Sequence, residues 1–446
     1  MKKILIITYY YKHKNAMASV RAIKLAKFFA AQGHDVTVLT SNQIDTWTKD
    51  YLTPEPSSVI CEIYAPQHRR WTLIRKYLAH RKRAGEARQA AQAVVQTQAA
   101  PAEQAAKKSL KARLRSYLGW LFYFNLAKQE DICMYKGLKA EFKRQKLGAF
   151  DTVIATYPTY GAFLTGIWLK KRNYCNRFIA DFRDPLYNPG FRSVKAEADY
   201  DKRCLAKVMK SADKVVCVSE GIAEGIAELH PKEKSKLFII TNGFDSDDVK
   251  SSESDVRFAE GKIHFVYTGT LYHGKRCVDM LAQVLEELIK GGDITRDSFA
   301  FEYAGPDFEE LLVQLSAYGL ENTAVNHGFV SREQAIALQK AADALLLLTW
   351  NESNYRGVVP GKLYEYMAIG NVPIIALVTG DVAQSEVALK IKETSSGIAC
   401  EQANMAADKA TLKQYLKQMF AGNNDFSNTA EKYNYQNIAK QYLELM

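Results

Sequence analysis

Short apolar runs alternate with segments of helical periodicity from the start of this chain. Ile4 to Tyr9 is an apolar run, Ser19 to Gln32 has helical spacing, and Val36 to Thr40 is a second apolar run. This strand–helix–strand unit has the length that a parallel, doubly wound sheet requires. The same alternation predicts further strands near Ile60 to Tyr64 and from Asp151 to Tyr157.

Several of the predicted strands run directly into polar or glycine-containing loops. The strand Arg177 to Ala180 enters Asp181-Phe182-Arg183-Asp184-Pro185. The strand Ile263 to Tyr267 enters a loop, Thr268 to Arg276, that contains two glycines and ends in two cations. Ligands of open α/β sheets bind outside the carboxyl ends of the strands, so these loops are candidate binding sites.

Length and composition divide the chain into two soluble units. A chain of 446 residues is expected to form two domains of about 200 residues each, and polar Ser251 to Gly261 is a plausible linker. Apolar content of 47% with 24% charge indicates a globular protein, and no run approaches the ~20 apolar residues of a membrane span. The seven scattered cysteines lack a CxxC pair, which predicts reduced thiols in the cytoplasm with neither zinc site nor disulfides.

The positive charge is confined to one insert. Between Gln67 and Ser116 there are thirteen Lys and Arg against two Asp and Glu, which equals the net charge of +11 of the whole chain. A predicted second helix, Ala102 to Leu126, joins part of this charge to the aromatic stretch Trp120 to Phe124. Basic residues beside aromatics fit a helical pair on an anionic membrane surface. A charged hairpin packed on the core is the alternative. A nucleic-acid patch is disfavoured because no recognised binding module surrounds it.

One stretch in the second half combines a helix start with a charged pair. Pro360 suits the start of a helix, and Gly370-Asn371 suits its end. Lys362 and Glu365 are three residues apart and share one face near the helix N-terminus. That arrangement can hold a ligand with phosphates and hydroxyls, although spacing alone equally describes an exposed ion pair.

The string from Pro360 to Pro373 resembles the signature P-x-K-x-x-E-Y-x-A-x-G-x-P of the family-4 nucleotide-sugar glycosyltransferases of the GT-B fold. Gly33 to Val38 resembles the G-H-x-V-x-V pattern of the same family. The resemblance implies an α/β protein with two Rossmann-like, doubly wound domains that face each other across a cleft. It places an acceptor-binding domain at 1–255, with the basic helical insert at about 67–145. A nucleotide-sugar-binding domain follows at 256–425, and a final helix at 426–446 returns to the first domain.

The resemblance also implies donor-binding residues in the second half. Gly269 and Lys275 match the family's donor-phosphate motif, and Gly269, Thr270 and Lys275 are the implied contacts of the diphosphate. Thr270 stands where that motif often has Arg, a loss that Arg276 would compensate. Gly357 stands where the family often has a Glu that touches the donor sugar, a role that falls to Glu352 or Asn354. The implied donor contacts are completed by three further sets, namely Lys362 on the diphosphate, Glu365 on the ribose, and Phe329 and Val330 at the base.

Candidate catalytic and acceptor residues lie in the first half. The string Asp181 to Pro185 resembles a sequence that many family members have at this strand end, where other members have a catalytic-site histidine. Asp181, Arg183 and Asp184 therefore join Lys275 and Glu365 as catalytic candidates. An internal Arg–Asp salt bridge is the alternative. Ser19 and Arg21 follow the first strand and are candidate acceptor contacts; a solvated helix surface is the alternative for Arg21.

The function implied is retaining transfer of a sugar from a nucleotide-sugar donor, UDP- or GDP-linked, to a glycan or lipid-linked glycan acceptor in cell-surface polysaccharide biosynthesis. No cofactor and no metal are expected, and Asp245-Ser246-Asp247 is interpreted as a turn rather than as a metal motif. The expected location is cytoplasmic, peripheral on the inner face of the membrane. A nucleotide-sugar epimerase or hydrolase and a non-catalytic nucleotide-sugar-binding scaffold are the rival classes.

Overall fold

The structure is a computed structural model of the 446-residue chain. It describes residues 1–11, 17–41, 59–66, 68–74, 76, 110–188, 195–250, 256–272, 274–423 and 426–446.

The first sheet has seven parallel strands. They are β1 (Lys3–Thr8), β2 (Asp35–Ser41), β3 (Ile60–Ala65), β4 (Phe150–Tyr157), β5 (Cys175–Phe182), β6 (Lys214–Cys217) and β7 (Leu237–Ile239). Their order is β3-β2-β1-β4-β5-β6-β7, so the chain reverses its direction of winding between β1 and β4.

The second sheet has six parallel strands. They are β8 (Ile263–Thr268), β9 (Phe299–Ala304), β10 (Ala324–Gly328), β11 (Ala344–Trp350), β12 (Ile374–Thr379) and β13 (Gly397–Glu401). Their order is β10-β9-β8-β11-β12-β13, with the same reversal between β8 and β11. Both sheets therefore have the predicted doubly wound topology.

Helices connect the strands and cover the sheets. They are α1 (Met17–Ala31), α2 (Leu110–Arg144), α3 (Tyr160–Lys171), α4 (Lys195–Ser211), α5 (Glu220–Leu229), α6 (Asp247–Lys250), α7 (Asp279–Lys290), α8 (Phe308–Ser316), α9 (Arg332–Lys340), α10 (Gly361–Ile369), α11 (Glu386–Thr394), α12 (Met405–Phe420) and α13 (Tyr435–Glu444).

The central strands are buried on both faces, which explains their continuous apolar runs. Leu5 and Ile7 of β1 pack into one core of the first half, whereas Ile4 and Ile6 pack into another on the opposite face. The second half is built in the same way, with one apolar core on each side of its sheet. Alternate side chains of one strand thus anchor two layers of helices.

The predicted basic insert falls largely outside the described residues. Its last part is α2, which extends well beyond the predicted end at Leu126 and packs along α3. At this contact the amide of Gly161, at the start of α3, donates to Asp131 Oδ1 of α2 at 3.0 Å. Among the helices that the structure describes, none is both long and apolar enough to cross a membrane.

The last helix, α13, lies against α1 of the first half. Ile438 and Tyr442 are buried in the same apolar core as Leu25 and Phe29 of α1. The chain crosses from the second half beside Phe244, whose carbonyl accepts from the amide of Tyr435 at 2.8 Å. The C-terminus therefore joins the two halves a second time.

Candidate active site

Strand ends of the two sheets face a common cleft. A cavity of about 560 Å³ lies between the halves and is lined by residues that follow strands of both sheets. Arg183 and Asp184 follow β5, and Trp350 ends β11. The remaining lining includes Val20, Val218, Asn242, Tyr272, Tyr355 and the segment Gly357 to Gly361, which leads into α10. Open α/β sheets bind ligands at this position.

The charged pair of α10 lies at the edge of this cleft. Lys362 Nζ is 2.6 Å from Glu365 Oε1, and Gln339 Nε2 of α9 donates to the same oxygen at 2.9 Å. Burial raises the pKa of Glu365, but Lys362 and Gln339 outweigh burial and hold this pKa below its usual value. Within the described part of the chain, Glu365 Oε2 has no hydrogen-bond partner. A negatively charged acceptor is therefore open to a ligand.

Gln339 is a site residue that the sequence did not reveal. Its Nε2 also lies 2.6 Å from Thr268 Oγ1 at the end of β8, so it links that strand to the carboxylate of α10. The side chain is fully buried. A glutamine within a predicted helix gives no spacing signal, and only the packing of α9 on α10 brings it to Glu365.

Cations from the loop after β8 gather around Trp350. Lys275 Nζ lies 3.1 Å from Glu352 Oε2 and 5.4 Å from the centre of the Trp350 ring. Arg276 donates to the carbonyl of Thr270 at 3.0 Å, and its guanidinium carbon lies 4.5 Å from the centre of the Tyr272 ring. Arg276 thus contacts Thr270, the position at which the family motif often has Arg. Its Nε is buried and has no hydrogen-bond partner among the described residues.

Fewer backbone amides of this loop are available to a ligand than the sequence predicts. The amide of Gly269 donates to the carbonyl of Ala304 on β9 at 2.9 Å. The amides of Leu271 and Gly274 donate to the carboxylates of Asp307 and Glu310 at 2.8 and 2.5 Å. These amides are already used within the protein, and the contact of Gly269 with a diphosphate stays a prediction.

Arg21 and Asp181 lie outside the cleft in a buried cluster. Both oxygens of Asp181 accept from Arg21 at 3.1 Å. Arg21 also donates to the carbonyls of Ile240 and Thr241 at 2.8 and 2.6 Å, and Tyr442 of α13 donates to Asp181 at 2.7 Å. Burial lowers the pKa of Arg21, but Asp181 and the neighbouring tyrosines raise this pKa by more than burial lowers it, so the net shift is upward. The polar atoms of this pair are satisfied internally, as in the alternative of an internal Arg–Asp salt bridge. The acceptor contact of Arg21 and the catalytic role of Asp181 stay predictions.

The other first-half candidates are placed differently from one another. Ser19 is buried under the first sheet's helix layer and does not line the cleft. Arg183 is mostly buried and donates to the carbonyl of Tyr157 at 3.1 Å. Asp184 is exposed at the cleft. Desolvation raises the pKa of its carboxyl group, and the positive charge of Arg183 offsets only part of this rise. Desolvation together with Asp184 also raises the pKa of Tyr355 to about 12.

The loop predicted to read the base leads into α9. Phe329 is 81% exposed, whereas Val330 packs against the apolar core beneath α10. The positive charge of Arg332, just beyond them, is one of the causes that lower the pKa of Glu365. Phe329 therefore offers an open aromatic face before α9, the helix whose Gln339 donates to Glu365.

Gly357 lies where the two halves touch. Its φ of +76° is in the left-handed region. A Cβ at this position would lie 2.8 Å from Ser219 Oγ and 2.9 Å from Gly221 Cα, both in the first half. The amide of Gly221 in turn donates to Glu386 of α11 at 2.9 Å. Backbone conformation and the opposite half therefore leave no room for a glutamate at position 357.

No protein-family model matches this sequence, and no curated protein matches it significantly. Solved structures match along almost the whole chain. The sucrose-phosphate synthase of Thermosynechococcus elongatus matches with a TM-score of 0.57 and 13% identity over 100% of this chain and 98% of that one. The lipopolysaccharide outer core galactosyltransferase WaaB matches with a TM-score of 0.54 and 14% identity over 99% and 98%.

A third similar structure is the trehalose-6-phosphate protein of E. coli bound to UDP-2-fluoroglucose, with a TM-score of 0.58 and 10% identity over 99% and 98% of the two chains. Similarity at this level of identity shows the arrangement of the chain in space. The fold is GT-B. The two Rossmann-like sheets and the cleft between them confirm the predicted fold class.

Proposed function

We propose that this GT-B protein is a retaining glycosyltransferase that moves a sugar from a nucleotide-sugar donor to a lipid-linked glycan acceptor in cell-surface polysaccharide biosynthesis. The observation that carries the proposal is the pair Lys362 and Glu365 at the start of α10. A cation, a carboxylate whose Oε2 has no partner among the described residues, and a helix N-terminus lie together there, directly after the cavity-lining segment Gly357 to Gly361.

The diphosphate is assigned to the cations and to the start of α10. Pro360 precedes this helix and makes no side-chain cap, so the first amides of α10 are free of a capping side chain at the end where the helix dipole is positive. Lys362, Lys275 and Arg276 add formal charge. This charge stabilises the departing diphosphate, where one well-placed donor is worth roughly 3 kcal/mol. The same three cations supply the electrostatic role of a metal, so we propose metal-independent transfer.

The nucleoside is assigned to Glu365 and to the loop before α9. The open Oε2 of Glu365 accepts hydrogen bonds from the ribose hydroxyls, while Lys362 and Gln339 hold the carboxylate in place through Oε1. The exposed ring of Phe329 stacks on the base, and Val330 fixes the loop by packing against the core. The E. coli neighbour is bound to UDP-2-fluoroglucose, which supports a nucleotide-sugar donor.

The acceptor is assigned to the first half. Asp184 reaches the cleft and orients the acceptor hydroxyl toward the anomeric carbon, with Arg183 behind it. In the transfer step the bond from the anomeric carbon to the phosphate oxygen breaks and a bond to the acceptor oxygen forms on the same face. The proton of the acceptor hydroxyl passes to the departing phosphate oxygen. The basic insert, 67–145, places the protein on the anionic inner face of a membrane, where a lipid-linked acceptor lies.

The proposal is tested by nucleotide binding followed by turnover. Calorimetric titration with UDP and GDP identifies the nucleotide, and Glu365→Gln is expected to weaken its binding about 10- to 100-fold, the range for losing a hydrogen bond to a charged group. Glu286→Gln is the matched control, because Glu286 forms an exposed ion pair with Lys290 one turn away on α7. Equal affinities for all three proteins would contradict the assignment of Glu365.

Turnover separates transfer from the rival functions. Incubation with UDP- and GDP-sugars is expected to release free nucleotide only when membrane lipid extract supplies an acceptor. Release of an epimer without lipid indicates an epimerase, and binding without any turnover indicates a scaffold. Nuclear magnetic resonance of the glycolipid product then shows whether the anomeric configuration is retained.

A further inference from the structure

A second, smaller cavity adjoins the cavity between the halves. Its volume is about 310 Å³, and Tyr157, Asp184, Asn188 and Tyr355 are among the residues that line it. Asp184 and Tyr355 line the larger cavity as well, so the two cavities meet at these side chains. The volume is at the lower end of the range of about 300–1,000 Å³ for small-molecule sites, and it suits a single ring.

The two tyrosine rings of the smaller cavity are held in place by other aromatic rings. The ring of Tyr157 stacks on the fully buried ring of Phe163, with centres 5.8 Å apart and an angle of 16° between the planes. The ring of Tyr355 lies beside Trp350, with centres 6.3 Å apart. Two prolines and a leucine complete the described lining. The cavity therefore offers aromatic and apolar surface in fixed positions.

Besides the tyrosine hydroxyls, the polar side-chain groups of the smaller cavity are one carboxylate and one amide. Of the described residues that line the two cavities, Asp184 is the only Asp or Glu. Its carboxylate makes no hydrogen bond to another described residue. Asn188 supplies the amide, and none of the described residues of the smaller cavity is Lys or Arg. A ligand there meets hydrogen-bonding groups and one negative charge, but no cation from this lining.

The charges around Asp184 leave no positive excess on this side of the cleft. Burial lowers the pKa of Arg183, whereas the nearby charges of Asp181 and Asp184 raise it. Arg21 is the second arginine that acts on this group, so two positive and two negative charges cancel. The three cations assigned to the diphosphate all belong to the second half. An anionic ligand in the smaller cavity would lie beside Asp184, and like charges repel strongly where water is largely excluded.

We infer that the smaller cavity binds the terminal sugar of the acceptor and that this sugar is uncharged, an inference that rests on the proposed function. A pyranose ring has apolar C–H faces and a rim of hydroxyls. Its faces pack on Tyr157 and Tyr355, which removes apolar surface from water. Its hydroxyls bond to Asp184 and Asn188. Because Asp184 lies where the two cavities meet, the hydroxyl that it holds faces the donor sugar. Acidic sugars and phosphate groups are excluded by the charge of Asp184.

The test measures the binding of small acceptor analogues while the donor side is occupied. The full chain is saturated with whichever of UDP and GDP binds, and the analogues are added in nuclear magnetic resonance titrations. The methyl glycosides of glucose, galactose and mannose are each paired with the corresponding uronic acid, and methyl phosphate is the third kind of probe. At least one neutral glycoside is expected to bind, and to bind at least about tenfold more tightly than its uronic acid or methyl phosphate.

Two variants connect this preference to the smaller cavity. Asp184→Asn removes the charge and keeps the shape of the side chain, so it is expected to abolish most of the difference between the neutral sugar and its uronic acid. Tyr157→Leu removes an aromatic ring and is expected to weaken binding of the neutral sugar roughly fivefold. Tyr174→Leu is the matched control, because Tyr174 is also partly buried against the same core but lines neither cavity. It should leave sugar binding unchanged.

The outcomes separate this inference from the function beneath it. Failure of every neutral glycoside to bind, or equal or tighter binding of the uronic acids or methyl phosphate, overturns the inference while leaving nucleotide binding intact. An unchanged preference in Asp184→Asn, or equal sugar affinities of the two leucine variants, overturns the assignment to this cavity. Failure of both nucleotides to bind overturns the proposed function itself. The comparison of neutral and charged probes uses the wild-type protein, so poor folding of a variant does not affect it.

Discussion

Two ion pairs, one in each half, are built in opposite ways. In the first half, the side chains of Arg21 and Asp181 are 2% and 1% exposed, and they are joined by two hydrogen bonds and fixed by Tyr442. In the second half, the side chains of Lys362 and Glu365 are 28% and 5% exposed and share one contact of 2.6 Å. The first pair is satisfied within the protein. The second leaves Glu365 Oε2 without a hydrogen-bond partner among the described residues and keeps the ammonium group of Lys362 partly exposed.

The difference shows that a charged pair at a strand end is not by itself a binding site. Arg21 uses its guanidinium to tie α1 to β5 and to α13, so its charge stabilises the connection of the C-terminal helix to the first sheet. Lys362 and Glu365 belong to one helix and connect no distant elements by themselves. We therefore assign stability to the first pair and ligand binding to the second.

The largest expected effect is the loss of stability on breaking the first pair. Asp181→Asn leaves the Arg21 charge buried without a counter-charge, and we expect it to lower the free energy of unfolding by about 3–5 kcal/mol. Glu365→Gln should cost much less in the same urea-unfolding measurement, because Lys362 reaches water. The double variant Arg21→Met with Asp181→Leu should recover much of the loss, since replacing a buried pair by apolar groups is often neutral. Equal losses for Asp181→Asn and Glu365→Gln would remove the distinction between the pairs.

A smaller effect is expected where the two halves touch. Gly357 and Gly33 have similar left-handed φ values, +76° and +80°, but only Gly357 has atoms of the other half next to the missing Cβ. Alanine at either position carries the same backbone strain of about 1–2 kcal/mol. Gly357→Ala should cost about 1–3 kcal/mol more than Gly33→Ala, because the added methyl group overpacks the contact with Ser219.

Thermal unfolding of the two alanine variants measures this difference. If the two variants lose the same stability, the contact at Gly357 is not tight in solution, and the cleft between the halves is wider than the structure shows. A larger loss for Gly357→Ala than for Gly33→Ala would support the explanation that packing of the halves, rather than loss of function, accounts for the glycine at this position.

Most of the fold follows from patterns that buried strands impose on a sequence. The apolar runs at Ile4 and Ala344 are continuous because both faces of these strands are covered. Such a run can be recognised in the sequence without knowing which elements cover the strand. Element ends shifted by a few residues, as for the strand predicted from Arg177 that begins at Cys175. The helix predicted to end at Leu126 continues to Arg144, because its last turns pack on α3 and tertiary contact extends it.

The candidate site was less predictable, because strand-end residues of the same type have different surroundings. Asp181 and Asp184 are three residues apart, yet one is buried against Arg21 and the other is exposed at the cleft. Sequence spacing cannot tell which residue faces α1. Gln339, Tyr272 and Tyr355 were missed for a related reason, since glutamine and tyrosine are ordinary in such segments and only the tertiary fold brings them to the site.

The smallest expected effect concerns a third ion pair, Lys275 with Glu352, whose side chains are 40% and 30% exposed. Exposed pairs contribute about 0–1 kcal/mol to stability, so Glu352→Gln should change the free energy of unfolding by less than about 1 kcal/mol. The change should shrink when the salt concentration is raised from about 0.05 to 0.5 M, because solvent ions screen accessible charges. A loss as large as that of Asp181→Asn, or one insensitive to salt, would show that exposure does not separate the charges that hold the fold from those that face the ligand.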